Sequence, residues 1–174
     1  TGNGAANVGG DINILGRGGD AGNTNHGVVV TNGSAINFTG TGATAGIINI
    51  IGTSRGLTDN DGVRIGGMAA SQINTIDGNV TISGDASTAT GSGNEGINIF
   101  GGTQITSMGV GANAATIVLN GTGGNGDDNN DGVEIDGMST LVTSADGNIT
   151  IAGTGGSNML AGSDNNRGVQ ISNM

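Results

Sequence analysis

The sequence predicts an all-β fold, a parallel β-helix (β-solenoid) of about five coils of about 35 residues, each with three short strands and no helix. Three observations predict it. Short Ile/Val segments recur in phase along the chain, Gly, Asn and Asp separate them, and none of the 174 residues is Pro, which would remove a donor from a fully paired strand.

The first segment of each unit reads Ile12-Asn-Ile14, Ile48-Asn-Ile50, Val80-Thr-Ile82, Ile117-Val-Leu119 and Ile149-Thr-Ile151. A second follows a glycine each time: Val28-Val-Val30, Val63-Arg-Ile65, Ile97-Asn-Ile99, Val133-Glu-Ile135 and Val169-Gln-Ile171. A third, weaker one begins near Ile36, Ile73, Ile105 and Leu141. "DGNVTI" (77–82) and "DGNITI" (146–151) suggest a higher repeat of two units, as do "TDNDGVRIGGM" (58–68) and "DNNDGVEIDGM" (128–138). The apolar–variable–apolar pattern is strand periodicity, and β-branched residues suit it. Arg64 and Glu134 occupy the variable column, so that column is expected to face water and the Ile/Val columns to face inward. One unit cannot bury a core alone, but units stacked at ~4.8 Å can. Gly and Asn are expected at the corners, where positive φ is needed. Met68, Met138 and Met174 recur at equivalent places and are expected to fill a corner of the core, as are Phe38 and Phe100.

The whole chain, 1–174, reads as one solenoid array with coils at roughly 10–45, 46–76, 77–109, 110–145 and 146–174. Residues 1–10 have the composition of a repeat linker and neither end shows a cap. The chain is therefore expected to be a segment or subunit of a longer filament. Its partners would be copies of itself, head-to-tail, or neighbouring repeats of the same giant chain.

Net charge is −10, with Arg17, Arg55, Arg64 and Arg167 the only cations besides His26. So acidic a chain is expected to bind neither nucleic acid nor anionic membranes. No apolar run approaches the ~20 residues of a membrane span, so no membrane insertion is expected. With no Cys, no disulfide holds the fold.

"DGNITIAGTGG", "GVEIDGM" and "GVRIGGM" resemble the repeats of filamentous-haemagglutinin-like bacterial surface and secreted β-helix proteins, the giant adhesins and exoproteins. That resemblance implies an elongated extracellular or cell-surface protein working as a stalk, an adhesin or a matrix fibre. It brings no catalytic residues with it.

The candidate metal site is the acidic run at residues 122–138. Asp127-x-Asn129-x-Asp131-Gly132 matches the first half of a calcium loop, in which alternating oxygen donors around a Gly turn suit hard Ca2+. Met138 stands where an EF-hand carries its bidentate Glu. The sister loop keeps Asp59 and Asp61, and "GNTNHG", "GSGNEG" and "SDNNRG" carry fewer acids. A solvated turn is the competing explanation. Lone His26 reads as a loop residue, and Glu134 and Asp136 as solvent-facing carboxylates without a pocket. The chain is thus expected not to be an enzyme. A polysaccharide-active enzyme would want grouped cations and aromatic platforms, and an ice-binding protein a flat Thr array. The first-strand column instead offers Asn, Asn, Thr, Val, Thr. The sequons at Asn32, Asn37, Asn79, Asn120 and Asn148 follow largely from composition.

The leading functional expectation is a structural building block of an extracellular filament, stalk or matrix fibre. The alternative is an adhesin that contacts surfaces or glycans through the loops between strands one and two, longest at Ala152–Gly168.

Overall fold

The structure is a computed structural model that describes residues 9–157 and 165–173. In chain order its strands are β1 (Ile12–Arg17), β2 (Val28–Val30), β3 (Ala35–Phe38), β4 (Ile48–Thr53), β5 (Val63–Ile65), β6 (Gln72–Thr75), β7 (Val80–Asp85), β8 (Ile97–Ile99), β9 (Gln104–Ser107), β10 (Ile117–Thr122), β11 (Val133–Asp136), β12 (Leu141–Ser144), β13 (Ile149–Thr154) and β14 (Val169–Ser172). A single 3-10 turn, Gly111–Asn113, is the only helical piece among the described residues. Every pairing is parallel and joins strands one turn apart. The three sheets run β1-β4-β7-β10-β13, β2-β5-β8-β11-β14 and β3-β6-β9-β12. The molecule is therefore a β-solenoid of four complete turns, with a fifth described through β14.

The registers turn the sequence repeat into ladders. Ile12, Ile48, Val80, Ile117 and Ile149 align, as do Ile14, Ile50, Ile82, Leu119 and Ile151. In the second sheet Val28, Val63, Ile97, Val133 and Val169 form one column and Val30, Ile65, Ile99, Ile135 and Ile171 another. The middle coils bury these side chains completely or nearly so, in one continuous core. Each such side chain contributes roughly 1.5–3 kcal/mol of transfer free energy.

Three expectations need correction. The inward column of the third sheet is Ile36, Ile73, Ile105 and Val142; Leu141 pairs with Gln104 and is exposed, because it occupies the outward strand-opening position held by Ala35, Gln72 and Gln104 in the other coils. Met68 and Met138 fill no corner. They are 101% and 83% exposed, because Gly66 and Gly67 before one, and Gly137 and Ser139 around the other, adopt positive φ and throw the methionine outward. Met174 lies outside the described residues. Phe38 does join the core, whereas Phe100 lies beneath Arg64, whose guanidinium sits 4.4 Å from the ring centroid.

The third correction concerns glycine. The column Gly16, Gly52, Gly84, Gly121 and Gly153 lies inside the first-sheet strands, with no positive φ. It exists because the second sheet starts against it. A Cβ on these residues would fall 1.7–2.0 Å from the carbonyl oxygens of Gly27, Gly62, Gly96, Gly132 and Gly168. Two glycine columns thus let adjoining walls of the coil touch backbone to backbone.

Candidate functional site

The acidic run belongs to the corner that enters the second sheet, and each coil builds that corner from four consecutive residues. The first has positive φ in every coil: Thr24, Asp59, Gly93, Asn129 and Asn165. A residue there reverses the chain, and Asn, Asp and Gly tolerate that region best. The second is always asparagine: Asn25, Asn60, Asn94, Asn130 and Asn166. The third is ionisable: His26, Asp61, Glu95, Asp131 and Arg167. The fourth is the second glycine column, and β2, β5, β8, β11 or β14 follows at once.

The asparagines form a ladder. The backbone N–H groups of Asn25, Asn60, Asn94 and Asn130 donate to the side-chain oxygen of the next asparagine at 2.7, 3.0, 3.1 and 2.8 Å. The Nδ2 of Asn60 reaches Asn94 Oδ1 at 3.2 Å, and that of Asn94 reaches Asn130 Oδ1 at 3.1 Å. Asn94 Nδ2 also donates to the carbonyls of Leu57 and Gly91. Amide side chains here replace the strand ladder where the backbone turns and cannot pair with itself. Asn94→Ala is expected to cost about 2–3 kcal/mol in denaturant unfolding, because several buried partners lose their bonds together.

The ionisable column runs beside the asparagines and points the other way. His26 Nδ1 accepts from the Asp61 N–H at 3.0 Å, Asp61 Oδ1 from the Glu95 N–H at 3.3 Å, and Asp131 Oδ1 from the Arg167 N–H at 2.6 Å. Asp61, Glu95 and Asp131 are buried. Arg64 Nη1 holds Asp61 Oδ2 at 2.9 Å, and His26 stands 3.4 Å from the same oxygen. Burial, a hydrogen bond to Asp61 and the charges of Asp61 and Glu134 push the Glu95 pKa up to about 10, so its carboxyl stays protonated at neutral pH. Burial raises Asp131 as well, against the Arg167 N–H and guanidinium. It also holds the His26 imidazole below its ordinary value despite Asp61.

The sequence-derived candidates divide at this corner. Asp127 and Asn129 are exposed, whereas Asp131 is buried and aimed at the Arg167 N–H. Asp59 is the positive-φ residue of its coil, and Asp61 is held by Arg64. Among the described residues no three His, Asp or Glu side chains are grouped to hold a metal ion. His26, expected as an ordinary loop residue, is the first rung of the ionisable column. Glu134 is half-buried rather than free in solvent; burial, then Asp131, raises its pKa, and Gln170 Nε2 donates to it at 2.8 Å. Asp136 accepts from Asn173 Nδ2 and Ser172 Oγ, and the Asn173 bond leads in holding its pKa low. The asparagine column is not legible from the acid content of those loops, which differs from coil to coil. Its signal is an Asn three residues before the second strand in all five units.

The outer surface offers two further features. A shallow groove of about 480 Å3 runs across the first sheet over the glycine column, between Ile51, Ser83, Asn120 and Ala152 on one side and Thr53, Asp85, Thr122 and Thr154 on the other. A second cavity, about 350 Å3, lies among the first-to-second-strand loops and is lined by Asp20, Arg55, Leu57, Thr88 and Thr90, with glycines between. No described helix is long and apolar enough to cross a membrane. Compared with protein-family models, curated proteins and solved structures, the chain has no match.

Proposed function

We propose that this chain is a structural β-solenoid block of an extracellular bacterial filament, stalk or matrix fibre, extended by axial stacking of coils. The single observation behind it is the contrast between middle and outermost rungs. Ile117, Val133 and Ile135 are at most 2% exposed, whereas their partners one coil on, Ile149, Val169 and Ile171, are 40%, 39% and 54% exposed. Among the described residues β13 and β14 each pair on one side only. A further coil laid there would bury the same columns and pair the same edges, whether from the same chain or a second copy. The extracellular setting follows the resemblance to the adhesin and exoprotein repeats.

Electron microscopy and fibre diffraction of the native material test this reading. Elongated particles with a reflection near 4.8 Å along the particle axis are expected; compact globules without it refute it. An intact mass well above 16.6 kDa assigns the next coil to the same chain, and a ladder of multiples of that mass assigns it to further copies. If copies stack, Ile171→Asp is expected to reduce the ladder to single chains in sedimentation velocity, with the far-ultraviolet spectrum unchanged.

The second reading is an adhesin that binds through the loops between strands one and two, and the cavity at Arg55 favours it. Residues 158–164 of the long last loop lie outside the described residues.

A further inference from the structure

We propose that the cavity between Asp20, Arg55, Leu57 and Thr90 is a binding site for a sugar acid, a hexuronate, with the Arg55 guanidinium holding its carboxylate. The proposal does not depend on the filament reading.

The four arginines show why. Arg17 Nη2 donates to Asp20 at 2.6 Å, Arg64 to Asp61 at 2.9 Å, and Arg167 bonds Gln170 and Asn165 beside Asp131. Among the described residues Arg55 donates no side-chain hydrogen bond. Its nearest carboxylate oxygen, Asp20 Oδ1, is 3.7 Å from Nε and already receives Arg17. The Nε is shut off from solvent with no acceptor, while the side chain as a whole stays 41% exposed. The guanidinium is thus buried at its Nε edge and open at the other. Two arginines against one aspartate leave one positive charge in excess here, on a chain whose net charge is −10. A planar guanidinium that meets its one carboxylate only at 3.7 Å, beyond hydrogen-bond reach, is a fork suited to a second carboxylate.

The rest of the lining says what the carboxylate is attached to. Three coils contribute, through residues 20–22, 55–57 and 88–90. Among the described residues Thr90 Oγ1 makes no hydrogen bond and Asp20 is bonded through Oδ1 alone, so the wall offers one hydroxyl and one acceptor for ligand hydroxyls. Leu57, 55% exposed, supplies an apolar surface for the C–H face of a ring. Gly22 and Gly56, both at positive φ, keep the floor free of side chains. A simple inorganic anion would leave the Thr and Leu walls unused, and a neutral sugar would leave Arg55 unpaired.

Titrating the 15N-labelled chain with sodium glucuronate, glucose, sodium acetate or sodium chloride at matched ionic strength tests this by NMR. Glucuronate is expected to shift the Arg55 Nε–H signal and the Thr90 amide saturably, with glucose and chloride giving no saturable shift and acetate binding about tenfold more weakly. Arg55→Gln is expected to abolish the Thr90 response, and Thr90→Val to weaken it about tenfold, both with unchanged thermal midpoints. No saturable shift with glucuronate, or equal affinity for glucose, overturns the proposal. Equal affinity for acetate overturns the sugar-acid assignment and leaves a bare carboxylate site.

Discussion

Gly84→Ala is expected to be among the most disruptive single-methyl changes in the described residues. The new Cβ would sit 1.8 Å from the Gly96 carbonyl oxygen and 2.6 Å from its carbon, both backbone atoms of the adjoining wall. No side-chain rotation relieves that clash. The second sheet would have to move away from the first in a coil paired on both sides. Overpacking of this kind costs roughly 3 kcal/mol or more, so the denaturant midpoint is expected to fall sharply. Gly10→Ala is the control: a Cβ there meets nothing within 4 Å, and the midpoint is expected to hold. A Gly84→Ala chain as stable as the parent would mean the two walls are not in backbone contact.

The second large effect is a reversed response to pH. Glu95 keeps its proton in the folded chain to a pKa of about 10, whereas the unfolded chain releases it near the ordinary 4.5. Between those values the folded state binds more protons than the unfolded state, so stability is full below 4.5 and falls as pH rises toward 10. Asp131 and Glu134 are shifted in the same direction. His26 and Asp136, both lowered, work oppositely, but they lose stability only as pH falls below their ordinary values of 6.5 and 3.8. Between pH 7 and 9 the carboxyls act alone. Unfolding free energy is expected to drop there with a slope near one proton, and Glu95→Gln to remove most of the slope. At pH 8 that variant gains on the order of a few kcal/mol, since an amide still donates to Asp61 and need not be kept neutral. A flat profile for the parent chain, or an unaltered slope in the variant, would place the Glu95 carboxyl in water.

Much of this fold was legible because one physical signal repeats. Ile and Val alternate with variable residues at the same phase in every unit, and parallel stacking converts that phase into columns, so the first and second sheets fell where the sequence placed them. The third sheet was less legible because Leu141 is apolar but out of phase with Ile105, and a hydrophobicity pattern cannot separate a leucine that starts a strand from one that fills it. The methionines misled for a related reason. Recurrence at Met68 and Met138 showed equivalent backbone positions, but positive φ at the flanking residues decided which way the side chains point.

The corner was half legible. The run at Asp127–Asp131 was visible as acidic, and composition alone favoured either calcium or a turn. Side-chain direction separates those residues: Asn129 reverses the backbone, so Asp131 turns toward the next coil while Asp127 stays in solvent. The asparagine column needed alignment by position, not charge. The Arg55 cavity was invisible in sequence, since its lining comes from three coils and joins only when they stack.

The account rests on the direction of alternate residues in the first sheet, and thiol labelling reads that directly because the chain has no cysteine of its own. Thr81→Cys and Ile82→Cys place single thiols on neighbouring positions of β7. The Thr81→Cys thiol is expected to react with a soluble disulfide reagent at nearly the rate of an unfolded chain. The Ile82→Cys thiol is expected to react about a hundredfold more slowly until denaturant opens the coil. Equal rates at the two positions would show that Ile82 does not face the core, and the stacked-column account would be wrong.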